Sequence, residues 1–182
     1  MKFTNLLLGA AAAGALAAVV VPAARKAEAA GTRGTHAAYS PQDAKTFTHE
    51  GAGVTFELPA GWEAEADGEQ VTVSPAGGGV SLVFWVPEEE DFDAASKALG
   101  EELAKQIQDL KFDGEPKAGK HNGMDHAAVS GSGKVGGKEI LFSADILEAK
   151  KTLIVLTMGS AEGLEKHQAA YVSLVKSIRK VG

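Results

Sequence analysis

Two histidines and an aspartate, His121, Asp125 and His126, stand close together around Asn122-Gly123. Imidazole and carboxylate are metal ligands, and a tight Asn-Gly turn would bring His121 and His126 to one end of a hairpin. A metal site needs three or four donors with a supporting shell. Two histidines at this separation match no established ligand spacing. The trio is the candidate metal set, and a polar, solvated hairpin tip is its alternative.

Other residue groups offer less. Glu88, Glu89, Glu90, Asp91 and Asp93 supply oxygens that calcium takes, but without the glycine-punctuated spacing of a calcium loop. Their simpler role is to place negative charge at a helix start. Gly131-Ser132-Gly133-Lys134 resembles a phosphate cradle, yet Val135-Gly136-Gly137 follows where a hydroxyl and a helix are required. That segment reads as a hairpin turn. The chain has no cysteine, and Ser130, Ser132 and Ser160 lack a G-x-S-x-G frame. His36 lies in the tether expected over residues 30–46, His49 near the first strand has no recognisable partner, and His167 reads as a half-buried packing residue. No catalytic residue and no cofactor is assigned. Trp62 and Trp85 remain. Trp85 is out of phase with the main apolar stripe, so it is a candidate recognition surface for a partner or ligand, or else it packs under a helix.

These groups need elements to hold them. Val54, Phe56 and Leu58 alternate with polar residues, as do Val71 and Val73, and each pattern predicts a half-buried strand. Val80, Leu82, Phe84 and Val86 predict a third, whose other face is also apolar and so needs cover on both sides. From Asp91 the period changes. Phe92, Ala95, Leu99, Leu103, Ile107 and Leu110 recur every three or four residues, which predicts an amphipathic helix of about five turns. Strands return after Asp113-Gly114, with turns at Asn122-Gly123 and Gly136-Gly137. Ile140 to Ile146 alternate, and Thr152 to Met158 reads as a central strand. Ser160 caps a last helix with Leu164, Tyr171, Leu174, Val175 and Ile178 on its inner side. The expectation is α+β: an antiparallel sheet of about six to seven strands packed between helices, in the order βββ-α-ββββ-α.

The first residues carry an address. Lys2, the uncharged run Leu6–Val21, and Ala27-Glu28-Ala29 form a secretory signal peptide cleaved after Ala29. The run is shorter than the ~20 apolar residues that span a bilayer. Without cysteine there is no lipid attachment point, so no membrane anchor is expected after cleavage. Residues 30–46 read as a flexible tether and 47–182 as the folded domain. Location is then periplasmic or extracellular. The chain's formal net charge is −6, and the leader's Lys2, Arg25 and Lys26 against Glu28 make the mature part more negative still. An acidic surface repels phosphate backbones, so nucleic acid is not an expected partner.

Val54-Thr55-Phe56-Glu57-Leu58-Pro59-Ala60-Gly61-Trp62, then Val71–Pro75, Gly77-Gly78-Gly79 and an apolar strand, resemble the start of the PsbP-like superfamily, which includes bacterial DcrB-like exported proteins. Ser177-Ile178-Arg179 sits where such domains end. The resemblance implies an antiparallel sheet between helices and a mostly non-catalytic role in binding or assembly, with no active-site motif to carry over. The functional expectation is an exported module that binds another envelope protein or a small apolar ligand. The alternative is a hydrolase or metal-dependent enzyme with an unrecognised site.

Overall fold

The computed structural model describes residues 45–88 and 92–181. The leader, its cleavage site, His36, residues 30–44 of the expected tether, and Glu89, Glu90 and Asp91 of the acidic run lie outside them. Strands β1 (Lys45–His49), β2 (Val54–Leu58), β3 (Trp62–Asp67), β4 (Gln70–Pro75) and β5 (Val80–Trp85) come first. Helix α1 (Phe92–Gln106) follows, then β6 (Gln108–Phe112), β7 (Lys117–His121), β8 (Met124–Val135), β9 (Lys138–Glu148) and β10 (Thr152–Gly159). Helix α2 (Ala161–Ser177) and the short β11 (Arg179–Lys180) complete the order.

Eight strands form one sheet in the order β3-β4-β5-β10-β9-β8-β6, with β7 on the remaining length of β8. β8 is long enough to hold two neighbours end to end: β7 pairs its first half and β6 its second. β1, β2 and β11 form a separate three-stranded sheet. All of these pairings are antiparallel.

The main sheet is covered on both faces, as the two-sided apolar strands require. Every residue of β5 is buried, and β10 beside it is nearly so. Val83, Trp85, Ile154 and Leu156 face α1 together with Ile140, Phe142, Ala144 and Ile146. Leu82, Phe84, Leu153 and Val155 face the other way, onto Val54 and Phe56 of the small sheet and Leu174 and Ile178 at the end of α2.

The expected strand count and order need correction. Among the described residues, five strands precede α1, five lie between the helices and one follows α2. β1 takes in Lys45 and Thr46, the last two residues of the expected tether. The unexpected strands, β1, β3, β6 and β11, lie at sheet edges: β3 offers Glu63, Glu65 and Asp67, and β11 only Arg179 and Lys180. Charged side chains on an edge protect it from further pairing and also erase the alternating signal. Helix α1 ends at Gln106, short of the expected Leu110. Ile107 N–H still bonds Leu103 O at 2.8 Å. Asp109 then adopts φ 53° in a bulge of β6, a conformation that aspartate tolerates. Ile107 and Leu110 remain on the α1 side of the core, so strand and helix share a phase there.

Candidate functional site

The hairpin of β7 and β8 turns at Asn122 (φ 47°) and Gly123 (φ 83°), the positive-φ pair of a two-residue turn. His121 lies opposite Met124, and Gly119 opposite His126. The pleat therefore sets His121, Met124 and His126 on one face and Asp125 on the other. The rings of His121 and His126 approach to 5.8 Å between centroids. Asp125 instead pairs with Lys120 at 2.6 Å on the exposed side. The carboxylate beside His126 is Asp145 of β9, with Nε2 to Oδ1 at 2.8 Å. The expected trio thus fails to converge, and no cluster of three or more metal-ligating side chains forms among the described residues. One-residue spacing cannot bring neighbours in a strand to the same side.

The hairpin tip has a structural task instead. Asn122 Nδ2 donates to Lys176 O at 2.9 Å and Ile178 O at 2.8 Å. These carbonyls lie at the C-terminal end of α2, where helix acceptors lack intrahelical donors. The Asn-Gly turn is a latch on that helix end.

The two tryptophans are covered. Trp62, at the start of β3, packs edge-on against the His167 ring of α2 at 5.8 Å, and burial holds the His167 imidazole below its ordinary range, with Lys166 adding to the effect. Trp85 is 1% exposed within the α1-side core. Its out-of-phase position reflects a sheet with two covered faces, not an open recognition surface. His49 is also buried. It accepts at Nδ1 from Ala52 N–H (3.2 Å) and faces Glu69 O with Nε2 at 2.9 Å, so the neutral ring ties the β1–β2 turn to the β3–β4 turn.

The glycine-rich Gly131–Gly137 segment is strand β8 up to Val135, and only Gly136-Gly137 forms a turn. Strand β9, not a helix, follows directly. A Cβ at Gly131 would overlap Lys111 O and come to 2.6 Å from the Phe142 ring. One at Gly133 would overlap Ile107. These glycines let β6 and the end of α1 lie close on β8.

The described surface also contains a feature the periodicities did not announce. A cavity of ≈ 320 Å³ opens between α1 and the sheet. Its helical side is the stripe Ser96, Leu99, Gly100 and Leu103, residues three and four apart on one face. Its floor is Ala127, Val129 and Ile146 of β8 and β9, and Phe112 at the end of β6 with Gly114, Glu115 and Pro116 of the β6–β7 connection supplies the rim. Small residues create the space: nothing lies within 4 Å of where a Gly100 Cβ would be. Phe112 is 45% exposed at the mouth and meets Phe142 edge-on at 5.8 Å. The volume falls at the lower end of the ~300–1,000 Å³ typical of small-molecule sites. A larger cleft of ≈ 570 Å³ beside β6 is crossed by the exposed Asp109–Lys134 ion pair (2.8 Å), which lowers the Asp109 carboxyl and raises the Lys134 ammonium from their ordinary ranges. The two charges pair with each other, and Lys111 and Glu139 also line the cleft.

No protein-family model and no curated protein matches the sequence. Likeness appears in three dimensions. Cyanobacterial PsbP (CyanoP) from Synechocystis is similar with a TM-score of 0.54 at 12% identity, over 84% of this chain and 98% of that one. The fold is PsbP-like. LpqN, involved in cell envelope biogenesis of Mycobacterium tuberculosis, is similar with a TM-score of 0.52 at 12% identity, over 74% of this chain and 88% of that one. The Leu58-Pro59-Ala60-Gly61-Trp62 segment that carries the sequence resemblance is the turn between the two sheets of this PsbP-like fold. Trp62 N–H bonds Pro59 O at 3.1 Å, and Gly61 supplies φ 75° in the position a type II turn reserves for glycine.

Proposed function

We propose that this chain is an exported, non-enzymatic binding module of PsbP-like fold, and that its site is the apolar cavity beneath α1. The observation that carries this reading is that cavity: an amphipathic helix spans it, and Gly100, with nothing within 4 Å of where its Cβ would be, leaves it open. Buried apolar surface contributes roughly 25 cal/mol per Å² to binding, so an apolar guest gains free energy there by leaving water. Export rests on the leader Lys2 to Ala29. The role of LpqN in envelope biogenesis is compatible with export and fixes no partner. The DcrB-like assignment rests on the sequence resemblance alone. The hydrolase or metal-enzyme alternative lacks a three-ligand cluster among the described residues.

The test is fluorescence of N-phenyl-1-naphthylamine, an uncharged dye that brightens in apolar sites, added to the purified mature protein. Enhancement that saturates, and that Gly100→Leu removes while the circular dichroism spectrum stays native, is the expected result. Enhancement unchanged in Gly100→Leu would sink the cavity as the site. N-terminal sequencing of the exported form should read Ala30-Gly31-Thr32.

A further inference from the structure

The charge distribution around the cavity says more than its volume. Among the described residues, no lysine, arginine or histidine lines it, and the one ionisable lining residue is Glu115, exposed on the β6–β7 connection at the mouth. The one hydroxyl, Ser96 Oγ, already donates to Phe92 O at 2.9 Å within α1. An anionic headgroup drawn into this space would lose water and find neither a cation nor a free donor, and it would pass a carboxylate on the way. Burying an ionised group without a partner is far more costly than burying a neutral one.

We infer that the cavity selects neutral apolar molecules and rejects anionic amphiphiles. The inference rests on the cavity being the binding site and specifies its ligand class. The rejection has two parts. The larger is the unpaired desolvation of the anion inside, which salt does not relieve. The smaller is repulsion by Glu115 at the mouth, which is exposed and therefore weakened by salt. Glu115 acts as a positioning and selecting residue and does not need to touch a neutral guest.

Two dyes of one skeleton type separate these claims. N-phenyl-1-naphthylamine is neutral, and 1-anilinonaphthalene-8-sulfonate carries a fixed negative charge. Each is titrated into the mature protein at low and high salt, and only the enhancement lost in Gly100→Leu is counted as cavity binding. Ala127→Leu serves as a second blocking variant, with thermal melts to show that both fold. The expected result is cavity binding of the neutral dye at least tenfold tighter than that of the sulfonate. Glu115→Lys should narrow the gap several-fold at low salt, and less at high salt, without weakening the neutral dye. Cavity binding of the sulfonate within threefold of the neutral dye would overturn the selectivity while leaving the site in place. A Glu115→Lys variant with unchanged sulfonate binding at low salt would remove Glu115 from the account. If both dyes bind as before in both blocking variants, the cavity itself is the wrong site, a failure distinct from the first.

Discussion

Gly163 in α2 and Gly100 in α1 lie in the two helices that cover opposite faces of one sheet, and they do opposite things. A Cβ at Gly163 would overlap the Gly79 carbonyl oxygen and come to 2.8 Å from Gly79 Cα, whereas one at Gly100 would meet nothing within 4 Å. The first glycine permits close approach of a helix to the β4–β5 turn. The second leaves room for something else. Helix α2 is secured at both ends, by Ser160 accepting from Gly163 N–H at 3.0 Å and by the Asn122 latch. Ser177 adds a bridge, donating to Leu174 O and accepting from Glu57 N–H of β2. The α2 face is thus a packed joint between two sheets, and the α1 face is a packed layer that includes the cavity at Gly100.

The largest expected effect contrasts a leucine from each face. Leu174 is 0% exposed at the centre of the α2 face, and Leu174→Ala should cost about 4 kcal/mol in urea unfolding. Leu103 borders the cavity, so its removal enlarges a void that already exists and breaks fewer contacts. Leu103→Ala should cost about 2 kcal/mol. Equal costs would erase the distinction between the faces.

Gly163→Ala comes next. The clash is with backbone, which cannot swing aside as a side chain does, and the expected loss is about 2–3 kcal/mol despite alanine's better helix propensity. A neutral result would mean that α2 can lift from Gly79 freely, and that the tight joint is not one.

Acid should act on the α2 face through His49. Burial, the main cause, holds this imidazole below its ordinary value of 6.5, against the smaller upward pull of its hydrogen bond to Glu69. The unfolded chain then binds the proton more readily than the folded one. Stability is complete above about pH 6.5, the unfolded value, and declines as pH falls below it. Protonated Nδ1 can no longer accept from Ala52 N–H. His167, also lowered by burial, acts with the same sign. Urea midpoints between pH 7.5 and 5.5 should fall for the native chain, and less for His49→Asn. An identical slope in both would remove His49 as a source.

The smallest effect has the opposite direction. Gly100→Ala adds a methyl group where there is space and lowers the unfolded chain's entropy, so stability should rise by about 0.5–1 kcal/mol. The same substitution should weaken binding of the neutral dye only slightly, in contrast to Gly100→Leu.

Much of this was legible in local spacing. β2, β4, β5 and β9 follow from alternation, β10 from a nearly continuous apolar run, the turns at Asn122-Gly123 and Gly136-Gly137 from residues that accept positive φ, and the start of α2 from Ser160. Each of those signals is a preference of a few consecutive residues for one backbone shape or one wet and one dry side. β3 gave little signal because its exposed residues need no apolar alternation, β7 was marked only by the Asn122-Gly123 turn that ends it, and β6 escaped because Leu110 happened to continue the helical phase. The histidine hairpin shows the limit most plainly. Its turn could be read from two residues, while the Asp145 that meets His126 comes from another strand. The cavity lay further out of reach. Its walls come from α1, β8, β9 and the β6–β7 connection, and a vacancy is set by the distance between layers. Whether a glycine is a close contact or an opening depends on what stands opposite its missing Cβ, and only the folded chain supplies that neighbour.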